Sequence, residues 1–310
     1  MNSKYFVAAI FAYIIWGFFS LPLRALSHFP AFDILSYRII IALVVMLFVT
    51  LFLRSKILKR NYKEFVSFSK KEKTNILIVN ALSGLIFASN WFLFIYVMNN
   101  VSVNATSLAY LICPIMTVVF AFLILKEKVS KLQWVAVLLC VISCLMMSVG
   151  HLTELFYSII IALSYAFYPI LQKKNQALDR FIILTVQVFF AVLFLLPFFP
   201  NYVSTTEKTF FFYEVVVLIT IVFTILPMYL TIYALKHLNS SVMGILMYIN
   251  PILTFLLAIL YFNEKLSLIQ GISYTLILFS VILFNSKVIK ERSSKIKMNQ
   301  KKVTNHILKR

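Results

Sequence analysis

Long apolar runs separated by short polar segments form most of the chain. Each run is long enough to cross the roughly 30 Å hydrocarbon core of a bilayer, which takes about 20 helical residues. Ten runs meet this length, at approximately 5–22, 32–53, 74–97, 103–125, 132–149, 152–171, 181–199, 209–235, 240–262 and 268–286. The pattern therefore predicts an all-α polytopic membrane protein with ten transmembrane helices.

One twenty-residue pattern occurs twice, at 114–133 and at 251–270, with nine identities and no gap. Each copy runs from a proline-containing apolar segment through a Glu-Lys-x-Ser hairpin into another apolar segment. The period is far longer than the 20–50 residues of a repeat array, so it indicates two duplicated halves. We predict one half at 1–149, a second at 150–286 and a basic tail at 287–310.

A second pair of matching stretches supports the duplication. The pattern Phe-x-x-Leu-Ser-x-Arg-x-x-x-Ala begins at Phe32 and places Arg38 at its seventh position. The pattern Phe-x-x-Leu-Thr-x-Gln-x-x-x-Ala begins at Phe181 and places Gln187 there. Polar residues thus differ between otherwise equivalent positions, and a site between the halves is expected to be asymmetric.

The positive charges predict the topology. Of the 29 Lys and Arg, 25 fall in termini and loops that share one side of a ten-span bundle, and three fall on the other side. The positive-inside rule then places both termini in the cytoplasm of a plasma or inner-membrane protein. Because five spans per half is an odd number, the second half is predicted to be inverted. Inverted repeats are typical of alternating-access transporters, whose substrate site lies near the bilayer midplane.

Composition excludes two other classes. With 62% apolar and only 13% charged residues, the 310-residue chain is too hydrophobic for a soluble globule. The net charge of +19 does not predict nucleic-acid binding, because the charges lie in loops and the tail and not on one folded face. The 54–73 loop and the 287–310 tail are expected to contact anionic lipid. No pattern predicts a cofactor, a metal or an oligomer, and a monomer fits.

Several stretches resemble a known family. They are AYIIWG at 12–17, FDILSYR at 32–38, NWFLFIYVMNN at 90–100, SLAYLICP at 107–114, KEKVSKLQW at 126–134, SYAFYP at 164–169, ILPMYL at 225–230 and GILMYINP at 244–251. Their order and spacing resemble the drug/metabolite transporter superfamily, and within it the RarD type of EamA-domain transporters. The resemblance implies a ten-helix carrier with two five-helix units, a central cavity and export of small metabolites or chloramphenicol-type drugs.

The chain departs from the family pattern where substrate would be recognised. Tyr37 replaces a His, Ala109 replaces a Gly, Cys113 replaces an Asn before proline and Pro169 replaces a Gly. Asn250 keeps the Asn of the second copy. The substrate therefore cannot be carried over from the family.

Arg38 is the sharpest candidate for substrate binding. It lies six residues into its span, about 9 Å deep at 1.5 Å per residue, where an isolated charge is costly. Its planar fork could bind an anionic group of the substrate. Alternatively, it could be tethered to helix-end carbonyls or to Asp33, or extend to the outer surface.

Asn90 is predicted to lie at nearly the depth of Arg38. Asn80, Ser83, Phe87, Asn90 and Phe94 recur at spacings of three and four, which places them on one helix face. Such a polar face either lines a cavity or joins helices. We expect Asn90, beside Trp91, to line the cavity and to form a recognition pair with Arg38.

Aromatic residues form the rest of the predicted site, where they could stack on a ring or shield a cation. The alternative is core packing or a position at the membrane interface. The candidates are Tyr13, Trp16, Trp91, Tyr110, Tyr165, Tyr168 and Tyr248, together with Asn250.

Four residues are candidate hinges or gates: Pro114, Pro227, Gly244 and Pro251. Proline frees a backbone carbonyl one turn earlier, and glycine lets helices approach closely. A plain structural kink is the alternative. The Glu-Lys-x-Ser hairpins are interpreted as structural elements that cap helix ends.

The leading hypothesis is a secondary transporter of a small metabolite, amino-acid-like or otherwise anionic or amphipathic, and not an enzyme. A drug exporter with a structural Arg38 is the alternative, and a non-transporting membrane sensor is a remote one. No acidic residue or His is expected at the midplane, which favours transport driven by a substrate gradient or the membrane potential, or coupled through Glu214.

Overall fold

The computed structural model describes residues 3–26, 28–101, 103–149, 152–174, 178–205, 207–261 and 268–286. In these ranges every regular element is helical. The helices are α1 Ser3–Gly17, α2 Ser20–Ala25, α3 Ala31–Phe48, α4 Ser55–Ser67, α5 Lys70–Asn100, α6 Val103–Leu125, α7 Lys131–Ser148, α8 Leu152–Lys174, α9 Arg180–Leu195, α10 Phe199–Tyr202, α11 Phe210–Thr220, α12 Leu226–Leu235, α13 Ser240–Leu246, α14 Ile249–Leu260 and α15 Leu268–Phe284. Short 3₁₀ or π-helical turns join some of them at Val49–Leu53, Leu196–Phe198 and Ile221–Ile225.

The apolar runs fold as helices of membrane-spanning length. Within the described ranges, eight helical stretches are long and apolar enough to cross a membrane. Two shorter apolar helices, Ser240–Leu253 and Leu268–Phe284, occupy the last two predicted spans. The prediction of an all-helical, multi-pass membrane protein is confirmed, and the count of ten crossings stays a prediction. The basic 54–73 segment is itself largely helical, because it contains α4 and the first turn of α5.

Helices of the two halves pack on one another in an exchanged pattern. In the first half α1 contacts α12 and α14, and in the second half α8 contacts α5 and α6. Helix α5 packs on α9, as α11 packs on α3. Other contacts between the halves join helices at equivalent positions of the duplication: α7 with α15, α6 with α13 and α3 with α9. The interior is therefore built mainly between the halves.

One hydrogen bond connects two positions that the repeat makes equivalent. The hydroxyl of Tyr248 donates to the backbone oxygen of Leu111 at 2.8 Å, and the two residues are 137 positions apart. That separation is the offset of the duplicated stretches. Tyr248 is fully buried, so the contact of α6 with the α13–α14 segment lies at the centre of the molecule.

The first Glu-Lys-x-Ser hairpin reverses the chain between α6 and α7. Lys126 adopts a left-handed backbone conformation with a φ of 54°. The amide of Glu127 then bonds to the oxygen of Ala121 at 3.2 Å. Ser130 caps α7 in a reciprocal pair with Gln133. The turn directs the Glu127 side chain towards the other half. The second hairpin, around Glu264, lies outside the described residues.

Candidate functional site

Arg38 lies in the second turn of α3 and points among other helices. Its guanidinium carbon lies 5.0 Å from the centre of the Trp91 ring, on α5, and 5.6 Å from that of Phe19, in the turn between α1 and α2. Tyr110, on α6, is close enough to interact with it electrostatically. Because these neighbours come from α5, α6 and the turn between α1 and α2, the charge lies within the bundle.

The Arg38 guanidinium lacks an anion partner among the described residues. Its Nε atom is buried and makes no hydrogen bond. The two aromatic faces offset part of its desolvation, because a ring attracts a cation by roughly 0.5–2 kcal/mol. That is less than a charge-assisted bidentate pair supplies. The described residues therefore compensate the Arg38 charge only in part.

Asp33, the acidic residue nearest to Arg38 in the sequence, is used elsewhere. Its Oδ2 lies 2.9 Å from the Nζ of Lys208. Its Oδ1 accepts the backbone amide of Ser204 at 2.8 Å. Both side chains of the ion pair are nearly inaccessible, at 0% for Asp33 and 7% for Lys208. The tether between Arg38 and Asp33, considered from the sequence, is therefore not formed. Asp33 instead ties α3 to the segment before α11.

A continuous set of aromatic contacts leads away from Arg38. Trp91 stacks on Phe87, with ring centres 5.3 Å apart, and Phe87 lies 4.4 Å from Tyr168. Tyr168 stacks on Tyr165 at 6.0 Å. Tyr13 contacts Trp16 at 5.7 Å. The structure thus brings most of the predicted aromatic residues together between α1, α5 and α8.

The polar atoms of these aromatic residues differ in what they contact. Trp16 Nε1 donates to the oxygen of Phe223 at 2.9 Å, in the π-helical turn Ile221–Ile225. Tyr168 donates to Oε1 of Gln187 at 3.3 Å. The hydroxyls of Tyr13, Tyr110 and Tyr165 make no hydrogen bond to any described residue, and Tyr110 is 37% exposed. Trp16 and Tyr168 therefore join helical segments through their polar atoms, whereas these three hydroxyls do not.

Asn90 joins two helices. Its Nδ2 donates to Ser164 Oγ at 2.9 Å and to the oxygen of Ile161 at 3.2 Å, both on α8. Asn80 and Ser83, on the same face of α5, accept hydrogen bonds from Gln187 and Gln172. The polar face predicted on this helix therefore fixes α5 against α8 and α9. A direct contact of Asn90 with substrate stays a prediction, but its bonds hold the adjacent Trp91 beside Arg38.

The hinge candidates Pro114 and Gly244 meet at one helix crossing. A Cβ added to Gly244 would lie 3.1 Å from the oxygen of Pro114 and 3.0 Å from Cβ of Thr117. Only glycine allows this close approach of α13 to α6 without displacement. Tyr248 bonds to the same region of α6, three residues before Pro114. Tyr248 and Gly244 thus support the helix crossing.

The other prolines lie at helix starts. Pro227 opens α12 immediately after the π-helical turn. Pro251 lies in the first turn of α14, just after the break between α13 and α14, and Asn250 precedes it as a half-buried residue. Pro114 by contrast lies inside an uninterrupted α6. The two repeat-equivalent prolines therefore have different local effects.

The ends of the helices predicted to face the cytoplasm are tied together. Arg54 forms a bidentate pair with Asp179, at 3.0 and 3.2 Å. Glu127 accepts the backbone amides of Ser240 and Ser241, at 2.8 and 3.0 Å, at the start of α13. Lys173 donates to the carbonyls that end α12. Each contact crosses from one half to the other or between neighbouring helices of the site, so the helices are joined at this end.

Some residues of the site were not predicted from the sequence. Phe19 lies three positions after Trp16, in the turn between α1 and α2, and the predicted span 5–22 would have placed both residues on one helical face. Gln172 is one turn beyond Tyr168, but its partner Ser83 is 89 residues away and no local pattern joins them. Among the described residues, no group of three His, Cys, Asp or Glu could hold a metal ion.

Comparisons with known proteins identify the family. The profile described as the EamA-like transporter family matches residues 3–149 and 152–286. The chain is 30% identical to the uncharacterized transporter YojE of Bacillus subtilis, over 92% of this chain and 94% of YojE. It is 26% identical to the protein RarD of Escherichia coli, over 89% and 92% of the two chains.

A protein of known crystal structure has a similar fold. It superposes with a TM-score of 0.70 at 15% identity, covering 92% of this chain and 98% of the other. At that identity the likeness concerns the fold alone. The two profile matches cover nearly the whole chain, and the relatives over most of their length are transporters or RarD proteins. The chain therefore belongs to the EamA-like transporter family, within the drug/metabolite transporter superfamily, and is a membrane transporter.

Proposed function

We propose that this protein is a secondary carrier that moves a small metabolite with an anionic group across the plasma membrane by alternating access. The observation that carries the proposal is Arg38, a charged group inside the bundle with no anion partner among the described residues. Buried charges in proteins are normally paired, because an unpaired one costs several kcal/mol. A substrate anion would supply the missing partner.

Alternating access is supported by the exchanged packing of the halves. A pseudo-two-fold axis through the contact of Tyr248 with Leu111 would relate the α1 contacts to the α8 contacts. If the axis lies in the membrane plane, the halves 1–149 and 150–286 form an inverted repeat. Movement about the crossing of Gly244 and Pro114, with Pro227 and Pro251 at helix starts, would then exchange which end is closed.

The orientation and the lipid contacts are further parts of the proposal. The excess of Lys and Arg predicts that both termini are cytoplasmic. Helix α4 exposes Lys56, Lys59, Arg60 and Lys63. We expect this face and the 287–310 segment to contact anionic lipid and not nucleic acid.

A drug exporter is the second candidate, and the aromatic residues favour it. Tyr13, Trp16, Tyr165 and Trp91 could bind a flat neutral compound without help from a charge. In that case Arg38 would be a structural residue. The two functions therefore differ in what they require of Arg38.

The test is uptake of labelled compounds into proteoliposomes that contain the full chain, compared with empty liposomes. We expect Arg38→Ala to abolish uptake of anionic compounds while the protein still folds. Lys70→Ala, which removes an exposed charge at the start of α5, is the matched control and should transport normally. Unchanged uptake by Arg38→Ala would favour the drug exporter, and no uptake of any compound by the wild type would favour a sensor.

A further inference from the structure

We infer that the substrate is a monocarboxylate with a flat apolar body and no ammonium group next to the carboxylate. The inference rests on the proposed function, because it identifies the chemical class that the Arg38 site would carry. It follows from the number and sign of the charges around Arg38 and from the shape of the surrounding side chains.

Arg38 is the cation that the described residues place against the Trp91 and Phe19 rings. Asp33, on the same helix as Arg38, forms a buried ion pair with Lys208. The charge of Lys208 is therefore already compensated. Arg54, which follows α3 and the π-helical turn Val49–Leu53, is bound by Asp179. A phosphate dianion would leave about one charge uncompensated among apolar rings, whereas a carboxylate is neutralised by one guanidinium. Charge balance thus selects a monoanion.

An amino-acid zwitterion fits less well than a simple carboxylate. Its ammonium would lie beside the carboxylate and so near the Arg38 charge. The carboxylate of Asp33 is already bound by Lys208 and Ser204, and the described residues place no other acid beside Arg38. The ammonium would then be repelled by Arg38 and stabilised only by ring faces. Repulsion of the ammonium by Arg38 therefore offsets part of the binding free energy that the carboxylate of a zwitterion contributes.

The body of the substrate would lie against rings. Trp91 and Phe19 cover the guanidinium, and Phe94 lies 5.4 Å from Tyr110. Flat apolar groups stack favourably on such rings. The free hydroxyl of Tyr110 can donate a hydrogen bond to the second carboxylate oxygen or to a polar group beyond it. Carboxylate and ring would thus be recognised side by side.

The inference is tested by binding of a matched series to the purified full-length protein in nanodiscs, measured by calorimetry. The probes share a phenyl ring: phenylacetate, its neutral amide phenylacetamide, the zwitterion phenylalanine and the dianion phenyl phosphate. We expect phenylacetate to bind at least about tenfold more tightly than the other three, the ratio of one charge-assisted hydrogen bond. This ranking needs the wild-type protein alone, so it stands even where a variant fails to fold.

Two variants separate this inference from the proposed function. Arg38→Gln should remove the preference for phenylacetate over phenylacetamide, and Arg38→Lys should restore only part of it, because lysine lacks the planar fork. If phenylalanine or phenyl phosphate binds best and still depends on Arg38, the monocarboxylate class is wrong and the anion carrier stands. If no probe depends on Arg38, or none binds, the inference is overturned.

Discussion

Helices α3 and α9 share a sequence pattern and pack against each other, but their polar residues differ in hydrogen bonding. In α3 the Nε of Arg38 and the hydroxyl of Ser36 are buried without a hydrogen bond to the described residues. At the equivalent positions of α9, Gln187 and Thr185 are fully engaged. Thr185 bonds to Thr50 and to the oxygen of Phe181.

Gln187 lies at the centre of a buried polar network. Its Nε2 donates to Asn80 Oδ1 at 2.9 Å and to Gln172 Oε1 at 3.1 Å, and its Oε1 accepts from Tyr168. The network joins α5, α8 and α9. A buried network with satisfied members fixes the relative positions of helices. The same position is thus hydrogen-bonded within the protein in one half and carries a charge without a described partner in the other.

The difference between α3 and α9 separates a residue proposed to bind substrate from residues that stabilise the fold. Native proteins leave few buried polar groups without a partner, and those they leave call for an explanation. In the second half the partners are side chains of the protein itself. In the first half the missing partner is proposed to be the substrate. Exchanging or removing the two side chains should therefore change different properties.

The largest effect is expected from Arg38→Gln, which gives α3 the residue of α9. Substrate affinity should fall by about 10- to 100-fold, the range of a charge-assisted hydrogen bond. Thermal stability without substrate should stay the same or rise, because an unpaired buried charge is removed. The measurements are ligand binding by calorimetry and unfolding by intrinsic fluorescence. A large loss of stability with unchanged affinity would make Arg38 the structural residue.

Gln187→Leu should do the reverse. It removes the donor to Asn80 and Gln172 and the acceptor for Tyr168, so the free energy of unfolding should fall by about 1–3 kcal/mol. Affinity per folded molecule should change little. Denaturation in mixed micelles measures the free energy of unfolding, and calorimetry measures the affinity.

A double-mutant cycle with Gln172→Leu is the control for this network. Because the two glutamines are bonded to each other, the double variant should lose less stability than the sum of the single ones. Simple additivity would show that Gln187 stabilises the protein through packing alone, and the contrast with Arg38 would then lose its basis.

Part of this contrast could be read from the sequence. The apolar runs predicted the helices, and the depth of Arg38 followed from its position in a span. What the sequence could not supply was the partner. Asp33 is five residues from Arg38, which at 100° per residue places the two side chains about 140° apart on the helix. Lys208, the actual partner of Asp33, is 175 residues from it and no local spacing indicates the pair.

Helix interruptions were equally hard to predict. The apolar run 209–235 gave no sign of the π-helical turn Ile221–Ile225, although Thr224 bonds there to the oxygen of Ile219. Pro114 and Pro251 have the same sequence context, but only the second follows a helix break. Whether proline interrupts a helix depends on which neighbours bond to the freed carbonyls, and those neighbours are set by the packing of the two halves.

The hairpins offer a second comparison between the halves. Glu127 binds the start of α13 through two amides, so Glu127→Gln should weaken a charge-assisted contact and lower stability by about 1 kcal/mol. If this contact closes one end of the carrier, labelling of Ser240→Cys by a membrane-impermeant maleimide should also become faster. The three native cysteines are buried, which keeps the background low.

Two further variants serve as controls for Glu127→Gln. Glu64→Gln changes an exposed carboxylate on α4 and should alter neither property. Glu264→Gln changes the repeat-equivalent residue, and in an inverted repeat it should favour exposure of the opposite end and slow the labelling of Ser240→Cys. Equal acceleration by both variants would mean general loosening and would contradict the proposed exchange of closed ends.

The smallest effect is expected at the turn itself. Lys126 carries a left-handed backbone, which costs a residue with an ordinary side chain about 1–2 kcal/mol, whereas Asn adopts it more readily. The second half has Asn263 at the equivalent position. Lys126→Asn should therefore raise the free energy of unfolding by about 0.5 kcal/mol.

The matched control is Lys128→Asn, in the same hairpin and equally exposed, where the backbone is not left-handed. It removes the same charge without relieving strain, so its unfolding midpoint should not rise. If both variants shift the midpoint equally, the charge is the cause. If only Lys126→Asn stabilises the protein, the backbone of the first hairpin is strained as its φ indicates.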